Sequence, residues 1–188
     1  MNAENTPHKD LLLNVYDTVA DPTLCPGILD RISHDLNAHG CSGFEWQGDG
    51  KNRELTAPHF SGRFEADALA LYLDKFFAFE AADQDTFEAH SLAADAIDLV
   101  DDTVLAPDLT ALKQLPNVEI LQKFGILHRA AGLLDKDNTH RARFSVQLGV
   151  DRGRLTPAEH HYLQGLLPHV AKALDLGRPA RHLVQQHR

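Results

Sequence analysis

The chain has 188 residues, 43% of them apolar, with 27 Asp and Glu against 18 Lys and Arg and a formal charge of −9. That is enough chain for one ordinary domain with a buried core, and the acidity disfavours the phosphate contacts on which nucleic-acid affinity rests. No stretch approaches the roughly 20 apolar residues that cross a bilayer, and the opening MNAENTPHKD is polar rather than signal-like, so a cytoplasmic protein with Cys25 and Cys41 as free thiols is expected.

Thr6 and Pro7 open a first helix by cap and proline logic, with Leu11, Leu12, Val15, Tyr16 and Val19 on its apolar side. Asp21 and Pro22 start a second in the same way, carrying Ile28, Leu29, Ile32 and Leu36, and Gly40 supplies its stop. Residues 41–47 read as a strand with Ser42, Phe44 and Trp46 on one face; Gly48, Asp49 and Gly50 make a turn, and residues 53–60 return as a weaker strand. Residues 64–79 are helical by pattern, with Leu69, Leu73, Phe76 and Phe77 apolar.

An acidic stretch follows. Glu80, Asp83, Asp85, Glu88, Asp95, Asp98, Asp101, Asp102 and Asp108 occur with no Lys or Arg among them. Loop and short helices (89–99, 108–114, 117–123) are expected there rather than sheet. Gly125 closes that region. Residues 126–134 read as a strand, Asp135, Lys136, Asp137 and Asn138 as its turn, and residues 141–149 as the clearest strand in the chain. Ala142, Phe144, Val146 and Leu148 face one way and Arg141, Arg143, Ser145 and Gln147 the other, which predicts one buried face and one wet face.

The last helix, residues 155–176, carries a capping box in Thr156 and Glu159, with Pro157 at its first position. Tyr162, Leu163, Leu166, Leu167, Val170, Ala171 and Leu174 form a wide apolar stripe, and Pro168 predicts a bend. The tail beyond Gly177 and Pro179 reads as the start of a linker or an extended helix. Two helices, a hairpin, a helix, an irregular middle, another hairpin and a long helix define an α+β domain with an antiparallel sheet.

Two stretches carry a family resemblance. LLLNVYDTVADPTLCPGILDRI near the start, and LTPAEHHYLQGLLPHVAKALDL with Arg178 near the end, resemble the N-terminal sensor region of bacterial LuxR-type transcriptional regulators, a region similar to GAF and PAS domains. Cys25 stands where that family often carries a tryptophan. The resemblance spans Leu11 to Arg178 and implies a sensor domain over residues 1–178, with the terminal helices packed together and 179–188 beginning a linker. LTPAEHHYLQGLL also resembles the opening of a LuxR-type helix-turn-helix, but PHVAKALDLGRPARHL supplies neither the turn glycine nor the basic recognition helix. This chain alone is therefore expected not to bind DNA specifically.

A mostly apolar cavity is where small effectors bind. Phe44, Trp46, His128, Phe144 and Val146 are expected to line one beneath the helix bearing Leu73, Phe76 and Phe77; an ordinary filled core serving protein interaction is the alternative. Neither ligand nor cofactor is named by the sequence. The apolar surplus of the last helix predicts a homodimer through Leu12, Val15, Leu166, Val170 and Leu174.

Catalytic and metal motifs give little. His160, His161 and His169 lack HEXXH spacing, the run Asp135, Asp137, Asn138 lacks the glycine and distal glutamate of a calcium loop, and Gly40 to Gly43 is not a nucleophile elbow. A non-enzymatic protein is expected. His169 is expected to satisfy a carbonyl freed by Pro168, with a ligand-reporting role as the alternative.

Overall fold

A computed structural model describes residues 9–48, 54–61, 64, 66–91, 97–136 and 140–186. Helix α1 (Lys9–Asp17) is followed by a 3-10 turn (Pro22–Leu24) and α2 (Cys25–Asp35). The turn and α2 are separate because Pro26 has no amide hydrogen to offer the Pro22 carbonyl. Asn37, at φ 46°, ends α2 in the left-handed conformation, and the Ala38 amide reaches back to the Ser33 carbonyl at 2.8 Å. Gly40, expected as the stop, instead begins strand β1 (Gly40–Gln47). Then come β2 (Glu54–Phe60), α3 (Ala66–Ser91), β3 (Leu99–Asp101) and a second 3-10 turn (Asp102–Val104). The chain ends with α4 (Leu109–Lys113), α5 (Pro116–Lys123), β4 (Ile126–Lys136), β5 (His140–Gly149) and α6 (Pro157–Gln186).

The strands form one antiparallel sheet in the order β2-β1-β5-β4-β3. Two hairpins, β1–β2 and β4–β5, are thus joined through β1 and β5, and β3 adds an edge where no strand was expected. Helices α1, α2 and α6 cover one face, enclosing the main core of Leu11, Ile32, Cys41, Phe144, Val146, Leu163, Leu166 and Leu167. On the other face lie α3, α4 and α5, with two smaller clusters around Leu112, Val118 and Leu127 and around Tyr72, Leu121 and Ile126.

Two further expectations change. Helix α3 does not stop near residue 79: it continues through the acidic stretch to Ser91. Both faces of β5 are buried, since α3 covers Arg143 and Ser145. Of the two readings of the tail, the extended helix is the one that forms: α6 continues through Pro168 to Gln186. Its capping box forms as read: the Thr156 amide donates to Glu159 at 2.7 Å, and the Glu159 amide to the Thr156 hydroxyl at 3.3 Å. Asp49, Gly50, Asp137 and Asn138, the central turn residues, lie outside the described residues, as do Thr6 and Pro7, residues 92–96 and the side chains of Leu69, Leu73 and Phe77.

Candidate functional site

The layer between α3 and the sheet is charged. Glu80, Asp83, Gln84, Phe87, Glu88 and Ser91 recur at i, i+3, i+4, i+7, i+8 and i+11, one face of the helix, and that face meets three arginines of the sheet. Arg129 of β4 donates to Glu80 Oε2 at 2.9 Å and to Asp83. Arg143 of β5 donates to Glu88 and, at 3.2 Å, to Gln84 Oε1, while Arg141 Nε donates to Glu88 Oε1 at 2.9 Å. Three carboxylates thus balance three guanidiniums. Gln84 donates to Glu80 Oε1 at 2.7 Å, and Asn117 of α5 donates to Asp83 at 2.7 Å and Glu80 at 3.1 Å. The Tyr72 hydroxyl, 2.7 Å from both Glu80 Oε2 and Asn117 Oδ1, has one proton to donate between them. Phe87 lies under the Arg129 guanidinium, 5.8 Å from its central carbon.

Burial by itself pushes the Glu80 carboxyl up, but the Arg129 charge and the hydrogen bonds from Gln84, Tyr72 and Asn117 outweigh it and hold Glu80 below the ordinary carboxylate value. Burial also opposes the Arg129 cation, and Glu80 and Asp83 more than reverse that effect. The Tyr72 phenol is raised, by burial first and then by the neighbouring Glu80 charge. Glu80 is thereby held ionised and Tyr72 protonated, so this layer binds and holds rather than moves protons. Among the described residues, a space of about 10 Å³ lies beside Gln84, Glu88 and Arg143, which is room for about one water.

A second buried knot sits at the β3 edge. Asp102 Oδ2 lies 2.9 Å from His128 Nδ1 and accepts the Arg129 amide at 3.2 Å, and Asp102 Oδ1 accepts from Arg154 at 2.5 Å. It ties the 3-10 turn after β3 to β4 and to the loop that leads into α6.

A second space borders the other face. An apolar cleft of about 60 Å³ lies between the sheet and the α1–α2–α6 layer, with Val15, Ile32, Phe144 and Ala173 inside and Ile28, Val170 and Leu174 at its mouth. Cys25 borders it, whereas Cys41 is fully buried nearby in the core, where burial pushes its thiol up to about 12.

The expected cavity residues do not form one wall. Phe44 pairs with Arg143 and Trp46 with Arg141, so by register their rings, 5.9 Å apart, lie on the α3 side, although Phe44 also borders the cleft. Phe144 pairs with Gly43 and Val146 with Cys41, which puts both on the opposite face among α1, α2 and α6. The register pairs even positions of β1 with odd positions of β5, so the apolar parities of the two strands fall on different sides. His128 shares the Val146 side, bound to Asp102; Phe76 packs beside Tyr72 on the α3 side.

The expected dimer residues divide similarly. Val15 and Leu166 are 2% and 0% exposed within one chain and belong to its core, whereas Leu12, Val170 and Leu174 are half-buried. Among the described residues, the exposed large apolar groups on these helices are Leu13, Tyr16 and Leu176. His169 bonds the Tyr16 hydroxyl through Nδ1 at 3.0 Å, joining α1 to α6 rather than capping a carbonyl near Pro168. The α3 acids and their arginines were the residues sequence reasoning missed. Their signal was present: a polar stripe at helical spacing and a strand alternating Arg with apolar residues.

This α+β architecture is that of the GAF-like sensor domains. The VqsR LBD domain from Pseudomonas aeruginosa superposes with a TM-score of 0.61 at 10% identity, covering 90% of this chain and 94% of its own. Escherichia coli SdiA gives 0.57 at 12% identity, covering 90% and 67%. The phycoerythrobilin-bound GAF domain from a cyanobacterial phytochrome gives 0.54 at 10% identity, covering 94% and 98%. The likeness is one of fold, in agreement with the resemblance carried by the two terminal stretches. No family model and no curated protein sequence matches the chain. Among the described residues no helix is long and apolar enough to cross a membrane, and no cluster of three or more His, Cys, Asp or Glu could hold a metal ion.

Proposed function

We propose that the chain is a non-enzymatic sensor domain of a LuxR-type transcriptional regulator, taking a small-molecule effector between sheet and helices and dimerising through α1 and α6. The observation that carries this reading is the fold shared with the VqsR LBD domain over nine-tenths or more of both chains. Helix α6 suits the output role: it packs on the core through Leu163, Leu166 and Leu167, bonds α1 through His169, and runs on to Gln186. The test is mass spectrometry of the purified chain under native and denaturing conditions, with thermal-shift screening of metabolites. A bare chain indifferent to every class of small molecule refutes the sensor reading.

A second reading, an interaction module with a filled core, is favoured by the buried ion pairs beneath the second half of α3. In that case the chain dimerises or binds a protein partner with no effector present.

A further inference from the structure

We infer that this domain takes a small uncharged apolar ligand in the cleft over Gly43, on the α1–α2–α6 face. The inference deepens the sensor reading and rests on it only for what the ligand would regulate. Two observations carry it. The cleft of about 60 Å³ is walled almost wholly by carbon, from Val15, Leu29 and Ile32 to Phe144 and Ala173. The second is that a Cβ built on Gly43, one of the lining residues, meets nothing within 4 Å among the described residues, although Gly43 pairs with buried Phe144 of the central strand. A well-packed core leaves few voids larger than water, and a dry apolar hollow accepts apolar guests.

The burial pattern gives the ligand its orientation. Val15, Leu29, Ile32 and Ala173 are buried at the inner end, while Thr18, Glu45 and His59 sit half-buried at the mouth with Ile28, Val170 and Leu174. An apolar end therefore lies over Gly43, and a neutral hydrogen-bonding end stays at the mouth. A strongly charged head gains nothing inside. The layer under the second half of α3 offers the reverse chemistry, with Glu80, Asp83 and Glu88 paired to arginines.

Straight-chain alcohols from butanol to decanol are the probe, titrated calorimetrically into the intact chain. Affinity should rise about fourfold per methylene until the chain fills the cleft, then level off. Gly43→Val puts methyl groups into the open space. It should raise the melting temperature and weaken the best alcohol at least tenfold. Should Gly43→Val fail to fold, Ile28→Phe at the mouth serves in its place. Bound alcohol should also slow alkylation of Cys25 and leave Trp46 emission unchanged, because Trp46 faces α3. Alcohols that bind equally well to Gly43→Val, or that shift Trp46, overturn the inference while leaving the sensor reading intact. Wild-type protein that binds none of them, with Gly43→Val changing only the oligomeric mass, places a second copy over the cleft and overturns it too.

Discussion

Arg129→Met tests whether the layer under α3 is held by charge. The arginine side chain is 3% exposed and grips Glu80 and Asp83, themselves largely buried. Removing one partner from a buried ion pair leaves uncompensated charge and costs about 3–5 kcal/mol. For a domain of this size each kcal/mol lowers the melting temperature by about 2–4 °C, so a fall of about 6–20 °C is expected. The pH dependence should change sign as well. In the wild type, Glu80 is held below its ordinary value, so its contribution is present above the unfolded carboxyl value of about 4.3 and is lost as pH falls through the lower folded value. Without Arg129, burial dominates and raises the Glu80 carboxyl, so stability is lost as pH rises from about 4.3 toward the new folded value. Calorimetric melts should therefore show a wild type little changed between pH 7 and 5, and a variant that melts higher at pH 5 than at pH 7. Adding Glu80→Gln and Asp83→Asn to Arg129→Met should recover part of the loss. A variant within about 2 °C of wild type, or one with the same pH slope, refutes a charge-held layer.

Other measurements address the remaining surfaces. Trp46 is 3% exposed, so its emission should be blue-shifted and protected from iodide; Phe144→Ala should cost about 3–5 kcal/mol yet leave that emission unchanged, since the two rings lie on opposite faces. A Trp46 signal that follows Phe144 in the folded variant contradicts the register. Leu13 and Leu176 are 55% and 49% exposed, so Leu13→Glu and Leu176→Glu should yield folded monomers, whereas Val15→Glu should unfold the chain. Light scattering that finds the wild type monomeric at high micromolar concentration ends the dimer reading. The chain alone should give no sequence-dependent gel shift, because its charge is −9; salt-sensitive binding at sub-micromolar protein shows otherwise.

What was legible in the sequence was local. The Thr156–Glu159 capping box, the strand over residues 141–149 and Gly125 at φ 78° each need only neighbouring residues, and each formed. What failed depended on a partner distant in sequence. The stretch from Glu80 to Ser91 has no apolar face, so a search for amphipathic helices passes over it; its face is complementary to Arg129, Arg141 and Arg143, about 40 to 60 residues away. Nor could the expected wet face of β5 be corrected before α3 was known to cover it. The parity of Phe44 against Phe144 is a matter of register, which strand patterns leave open by one residue.

That register decides where a signal can arise. Had Phe44, Trp46, Phe144 and Val146 lined one cavity under α3, a ligand there would have to act on α6 through the thickness of the sheet. With the α3 layer clamped by three arginines and the open space over Gly43, a guest in the cleft touches Val170 and Leu174 of α6 directly, beside the Tyr16–His169 bond that joins α6 to α1. Filling the hollow strengthens the packing of α6 on the sheet, and a differential effect on that one helix is all that a shift in population requires. The expected sign is that ligand protects amides of α1 and α6 from hydrogen exchange while those of α3 keep their rates. Protection confined to α3 would locate the response in the charged layer instead.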